Sequence, residues 1–216
     1  MKKIKTTGKN LMNCYAIINS PIGGLMLVAD DSALTGLYFA GYDHIPVASN
    51  RWTLNAQHPV LQEAAKELRE YLAGKRKHFS LPLRLAGTDF QQRVWREISL
   101  IPYGETISYS DLASRAGGPQ AIRAVGTNTG RNPVSIIIPC HRMVGKNGTM
   151  RGFAGGLERK RRLLELENFI RPLSFLILSV DLTRGTWKRK LQAGLQIRSN
   201  FLSAEIGGLW SNSWKS

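Results

Sequence analysis

The 216-residue sequence predicts an α+β chain with strands first and helices after, and three observations carry that reading. Residues 13–40 alternate short apolar runs with turn signals. Residues 60–72 carry apolar groups at helical spacing, and 88–100 open on a helix-capping signal. Residues 108–129 read as two short helices about a Gly-Gly-Pro break.

Within the first stretch, the runs Asn13-Cys14-Tyr15-Ala16-Ile17-Ile18, Leu25-Met26-Leu27-Val28-Ala29 and Ala33-to-Phe39 are separated by Ser20-Pro21-Ile22-Gly23-Gly24 and by Asp30-Asp31, the pattern of an antiparallel meander. Val60, Leu61, Ala64, Ala65, Leu68, Tyr71 and Leu72 then share a helical face, and Gly74 is placed to cap it. The basic run Lys75-Arg76-Lys77-His78 and Leu81-Pro82-Leu83 read as a linker from Gly74 to Gly87. Thr88 and Gln91 form a T-x-x-Q capping box, so a helix should run from there to about Leu100, ahead of Pro102 and Gly104.

Next come the two short helices, Ser110 to Ala116 and Gln120 to Asn128, with Pro119 suited to the first turn of the second because its missing N–H costs nothing there. Such a helix pair is structurally common, so taken alone it leaves DNA binding and a purely structural role evenly balanced. The β-branched run from Pro133 to Cys140 reads as a buried extended segment, Lys146-Asn147-Gly148 as a tight turn, Gly152 to Gly156 as a glycine-rich loop, and Leu157 to Glu167 as a last helix.

Charge points to the class of partner without locating its site. Lys and Arg number 30 against 15 Asp and Glu, a formal charge of +15, which suits a polyanion. Residues 1–86 carry 11 basic and 6 acidic groups, 87–167 carry 12 and 7, and 168–216 carry 7 and 2, so each part is net +5. A basic ribosome-associated or membrane-surface protein would show the same balance. Asn13, Asn19, Ser20 and Pro21 interrupt the apolar stretch after the first lysines, against an export signal. Leu173 to Val180 is far shorter than the roughly 20 residues of a spanning helix. A soluble chain with reduced thiols in a cytosol is expected, and four scattered histidines with two cysteines give no closely spaced metal cluster, which leaves open only a zinc site assembled from distant residues.

The chemistry centres on Pro139-Cys140-His141-Arg142, with Glu167 downstream. A thiol becomes a strong nucleophile as thiolate, and an imidazole backed by a carboxylate can hold the proton it releases. The commoner fate of a lone cysteine is packing, and that is the expectation for Cys14.

Ile138-Pro139-Cys140-His141-Arg142 resembles the active-site signature of the O6-alkylguanine-DNA alkyltransferases, the methylated-DNA–protein-cysteine methyltransferases. The segments Phe90 to Trp95, Ile101 to Ala113, Ala121 to Gly126, Arg131 to Gly145 and Gly152 to Glu167 are similar to that family in order and spacing. The resemblance implies a ribonuclease H-like α/β domain (1–86), a mainly helical, winged helix-turn-helix-like alkyltransferase domain (87–168), and an extension outside the family pattern (169–216).

By the same resemblance Cys140 is the alkyl acceptor, His141 activates it through a water, Glu167 orients the imidazole, and Asn132 holds the turn before the acceptor. Arg123 is the intercalating finger, Tyr109 crowds the backbone and meets the flipped base, and Ala121, Ala124 and Gly126 permit close approach to the minor groove. Met143, Phe153, Ala154 and Gly155 belong to the base pocket, Ala154 standing where some members carry a serine. The implied activity is direct reversal of O6-alkylguanine in double-stranded DNA, with O4-alkylthymine a second candidate lesion, by irreversible single-turnover transfer to Cys140. The implied protein is a cytoplasmic monomer that needs no cofactor or metal, binds no membrane and reads DNA without strong sequence preference. A cysteine hydrolase would need an oxyanion hole, of which the sequence shows no sign; relatives that bind alkylated DNA without transfer lack the cysteine that stands here as Cys140.

Overall fold

In the computed structural model, which describes residues 13–41 and 51–167, the first apolar runs form strands β1 (Cys14–Ile18), β2 (Leu25–Ala29) and β3 (Leu34–Phe39). β1 pairs antiparallel with β2 and β2 with β3, so the meander forms as expected. The register places Cys14, Ala16, Ile18, Leu25, Leu27, Leu37 and Phe39 on one face. Helix α1 (Pro59–Leu72) packs against the sheet through buried Leu61, Ala64, Ala65 and Leu68. A short strand β4 (Thr53–Leu54), for which the sequence carries no clear signal, adds parallel to β1 and completes the order β3-β2-β1-β4.

Ala73 is the cap of α1, and Gly74 stands one residue beyond it at φ 72°. There the Gly74 and Lys75 N–H groups close on Tyr71 O (2.9 Å) and Glu70 O (2.9 Å), the paired bonds of a Schellman stop. The expected linker is anchored. Leu34 N donates to Pro82 O (2.9 Å) and Arg84 N to Leu34 O (3.0 Å), so the segment lies along the β3 edge, while Arg84 pairs with buried Asp30 at 2.5 Å. Buried Glu67 takes the Ser80 N–H at 2.9 Å and Arg76 at 3.2 Å.

The capping box forms in full: Gln91 N donates to Thr88 Oγ1 (3.3 Å) and Thr88 N to Gln91 Oε1 (2.8 Å), opening α2 (Asp89–Ser99). Strand β5 (Ile107–Ser108) leads into α3 (Tyr109–Ala116), whose first turn is capped by Ser108 through the Asp111 N–H at 3.1 Å. After Gly118 at φ 95° the chain makes a 3-10 turn, Pro119–Ala121, before α4 (Ile122–Gly130). Pro119 therefore opens a 3-10 turn, and the second helix starts two residues later than its composition suggests. β6 (Met143–Val144) pairs parallel with β5, and α5 (Leu157–Leu166) closes the described chain, with Glu167 as its cap.

Residues 133–140 are not the extended segment that their β-branched composition predicts. Pro133 and Ser135 bridge to the β3 edge, where Leu37 N donates to Pro133 O (2.8 Å) and Ser135 N to Leu37 O (3.2 Å). The chain then winds back on itself, with Ile138 N on Val134 O (3.0 Å) and Ile136 at φ 72°, a conformation β-branched residues rarely adopt. Tertiary pairing and burial override strand propensity here. Cys140–Arg142 is a turn of 3-10 helix.

One core joins both halves: Leu25, Leu37 and Phe39 of the sheet belong to the same buried cluster as Val94, Ile98, Val134 and Leu163. Among the described residues no helix is long and apolar enough to cross a membrane. The extension 169–216 lies outside the described residues.

Candidate functional site

The site is assembled by the wound segment after Asn132, the 3-10 turn at Cys140 and the end of α5. Asn132, buried after the last turn of α4, uses its whole amide. Its Oδ1 accepts from Val134 N (3.0 Å), and its Nδ2 donates to Ile138 O (2.8 Å) and to Cys140 Sγ (3.2 Å). The same side chain thus shapes the turn and touches the sulfur. Cys140 is 5% exposed, and burial pushes its thiol above the usual range, with Asn132, Lys160 and Ser135 pulling the other way.

His141 is fully buried, and burial lowers its pKa despite the opposing pull of Glu167. Its Nε2 lies 2.9 Å from Glu167 Oε1. The carboxylate can only accept, so Nε2 carries the hydrogen, and Nδ1 is left as the basic nitrogen, buried without a hydrogen-bond partner. Burial alone would raise Glu167, but hydrogen bonds from His141 and Arg142, with their charges, hold its carboxyl down at about 2. Arg142 grips both oxygens (Nη2 to Oε1 2.8 Å, Nε to Oε2 2.9 Å) and is held by Ile101 O at 2.5 Å. Gly104 N (3.2 Å to Oε2) and the Tyr71 hydroxyl (2.5 Å to Oε1) complete the shell.

Cys140 lies at the wall of a cavity of about 350 Å³, lined also by Tyr109, Gly126, Thr129, Gly130, Gly152, Phe153 and Ala154. Phe153 is fixed edge-on to Phe39 at 5.4 Å between centroids. The Thr129 hydroxyl is committed to Val125 O (2.8 Å). Tyr109 lines the cavity, and its phenol, pushed up to about 12 by burial and by nearby Cys140, stays protonated near neutral pH. Met143 and Gly155, expected in the pocket, are not part of this lining. Met143 is fully buried behind it and offers its carbonyl to Lys160 Nζ at 2.5 Å, and Gly155 is pressed against the Phe39 ring, which a Cβ would meet at 2.5 Å.

On α4, Val125 and Thr129 face inward while Arg123 and Ala124 are exposed, and Ala121, at the end of the 3-10 turn before it, is half-buried. A Cβ on Gly126 would meet nothing within 4 Å, so nothing inside the chain requires glycine there. The structure therefore brings Cys140, His141, Glu167 and Asn132 together, and sets Tyr109 and Gly126 at the same cavity. Arg123, Ala121 and Ala124 lie on the neighbouring outer surface.

Four participants went unseen in the sequence. Tyr71 has the helical spacing of any core aromatic. Ser135 sits in an apolar run, and Arg142 is part of a motif that assigns it no role. Lys160 lies in a basic run that reads as a solvated face, yet its ammonium is fully buried on Met143 O and Arg151 O (2.8 Å), and burial pushes it down to about 8. The helical spacing of Lys160, Leu163, Leu164 and Glu167 is the signal that could have found it. Cys14 is a buried thiol on Ala29 O (3.6 Å), and among the described residues no group of three or more potential ligands could hold a metal.

Residues 13–85 match the family model of the 6-O-methylguanine DNA methyltransferase ribonuclease-like domain, and residues 89–169 match that of its DNA-binding domain. The chain is 45% identical over 158 residues to a Mycobacterium bovis methylated-DNA–protein-cysteine methyltransferase, covering 73% of this chain and 94% of that one. It is 42% identical over 160 residues to the constitutive Bacillus subtilis protein of the same description, covering 72% and 96%. The crystal structure of the Mycobacterium tuberculosis O6-methylguanine methyltransferase superposes with a TM-score of 0.68 at 42% identity, over 77% of this chain and 99% of that one. A structure of Mycobacterium tuberculosis OGT in complex with DNA gives 0.67 at 46% identity, over 71% and 92%.

Proposed function

The chain belongs to the methylated-DNA–protein-cysteine methyltransferase family, and on that premise we propose that it repairs O6-alkylguanine by moving the alkyl group onto Cys140 Sγ. DNA is its partner, and the transfer is stoichiometric. The observation that carries the assignment of roles is the buried series Cys140, His141, Glu167 beside the cavity, with Nδ1 of His141 unpartnered.

The reaction follows from these groups. The thiol proton passes to His141 Nδ1 through a bridging water, and Glu167 stabilises the imidazolium that results. Sγ attacks the alkyl carbon, an S–C bond forms, and the C–O6 bond breaks with its electron pair remaining on oxygen. Guanine takes up the proton that the imidazolium releases and leaves as the neutral base, so the charges balance. The product is a thioether, which neither water nor a cytosolic thiol cleaves, so each molecule acts once.

Access requires the nucleotide to leave the stack, at a cost on the order of a few kcal/mol. α4 enters the minor groove, with Ala121, Ala124 and Gly126 permitting close approach, and Arg123 fills the gap. Minor-groove contacts discriminate bases weakly, so lesions are met in any sequence context. The protein acts as a cytoplasmic monomer, and O4-alkylthymine is a second lesion of suitable chemistry. DNA carrying radiolabelled methyl on guanine O6 tests the proposal: about one label per molecule is expected on Cys140. Free labelled methanol, repeated turnover, or full transfer by Cys140→Ala would sink it.

A further inference from the structure

We propose that Tyr71, contributed by α1 of the N-terminal half, is a positioning residue of the acceptor site, its hydroxyl holding in place the Glu167 oxygen that sets which imidazole nitrogen is free for the thiol proton. This rests on the alkyl-transfer reading and deepens it.

Tyr71 is fully buried in the last turn of α1, 70 residues before His141 and 96 before Glu167. Its ring is set between Phe79 (centroids 5.1 Å) and Tyr103 (6.2 Å, nearly perpendicular). The hydroxyl lies 2.5 Å from Glu167 Oε1 and 3.4 Å from His141 Nε2. A phenol has one hydrogen, and an ionised carboxylate 2.5 Å away takes it. Two donors, Tyr71 and His141 Nε2, therefore converge on the same oxygen, and Nε2, which carries its own hydrogen, does not accept from the phenol. That leaves Nδ1 bare. Burial and the Glu167 charge push the phenol well above its ordinary range, so it remains a donor throughout the working pH.

The arrangement gives the N-terminal half a chemical role. The charged and titratable groups facing His141 are Glu167 at the end of α5, Arg142 on the same 3-10 turn, Lys160 on α5 and Tyr71 on α1, with Tyr103 packed edge-on to the Tyr71 ring within reach of the Glu167 and Arg142 charges. Arg142 and Tyr71 both draw on the Glu167 charge. Removing the Tyr71 hydroxyl leaves more of that charge for His141, so the imidazole protonates at higher pH and the carboxylate is less firmly held.

The test is Tyr71→Phe, which keeps the ring, measured by single-turnover methyl transfer across pH. The rate near neutrality should fall about tenfold, the scale of one hydrogen bond to a charged group. The acid limb of the profile should move upward by roughly half a pH unit. Affinity for duplex DNA should not change, and transfer from free O6-benzylguanine should fall by the same factor. Phe79→Leu loosens the same packing while leaving the hydroxyl, and should lower thermal stability with no shift in the profile. A Tyr71→Phe profile that overlays wild type, a loss seen only with DNA, or the same shift in Phe79→Leu would each overturn the inference. A wild-type chain that takes up no methyl overturns it together with the function; a wild type that transfers while Tyr71→Phe matches it overturns this inference alone.

Discussion

Replacing Glu167 by glutamine separates charge from shape at the point where the network converges. Every group around the carboxylate is a donor: His141 Nε2, the Tyr71 hydroxyl, Arg142 through two nitrogens, and Gly104 N. Glutamine offers one oxygen and turns two hydrogens of its own toward these donors. His141 can relieve the conflict by moving its proton to Nδ1, so that Nε2 accepts, but Nδ1 then cannot take the thiol proton. General-base assistance contributes about 10²–10⁴-fold, and Glu167→Gln should lose at least the lower part of that range.

Stability should fall as well. A carboxyl held at about 2 against an ordinary 4.5 is stabilised as the anion by about 3 kcal/mol, in line with the roughly 3–5 kcal/mol lost when a buried pair is broken. For a chain of this size that is about 6–12 °C in Tm. Because the folded pKa is depressed, the contribution is fully present above the unfolded value and disappears as pH falls from about 4.5 toward about 2. The Tm gap between wild type and variant should close over that window. Transfer within threefold of wild type, or a gap independent of pH, would refute the reasoning.

Three further outcomes are expected. Ala154→Ser places an oxygen at the cavity wall, and the ratio of benzyl to methyl transfer should drop about tenfold in competition between the two guanine substrates, the scale of one group in a tight pocket; an unchanged ratio removes Ala154 from specificity. Arg123→Ala should slow transfer from duplex DNA by one to two orders of magnitude, about the cost of an unfilled stack, while leaving transfer from free O6-benzylguanine intact. Gly155→Ala drives a Cβ to 2.5 Å from the Phe39 ring and should cost roughly 1–3 kcal/mol in thermal or denaturant unfolding, with little effect on DNA affinity.

What could be read from the sequence was local. The Thr88–Gln91 box is two side chains three residues apart, and the meander is a period-two pattern between turns, so neither depends on the rest of the chain. Residues 133–140 depart from their composition: Val134, Ile136, Ile137 and Ile138 carry strand propensity, whereas their path is set by Asn132 and by the β3 edge, which is nearly 100 residues earlier. The proximity of Glu167 to His141 came from family resemblance; spacing alone does not imply it. Tyr71 could not be found at all, since a helical aromatic looks the same whether its hydroxyl meets a carboxylate or lies idle.

The opposing shifts at Cys140 and His141 have a functional logic that a turnover enzyme would not need. Burial raises the thiol and lowers the imidazole, so in the resting site both are neutral and proton transfer between them is unfavourable. A standing thiolate would react with any small electrophile, and each such event would remove a molecule from service permanently. With the ion pair formed only when an alkyl carbon lies at Sγ to consume the thiolate, reactivity is conditional on the cavity being filled. The depressed Glu167 carboxyl makes that conditional step accessible: it is fully ionised near neutral pH, so the imidazolium meets its counter-charge at the moment it forms. On the proposed roles, the donors around Glu167 keep the carboxylate ionised and in place against the cost of its burial, and Tyr71 brings α1 into that shell.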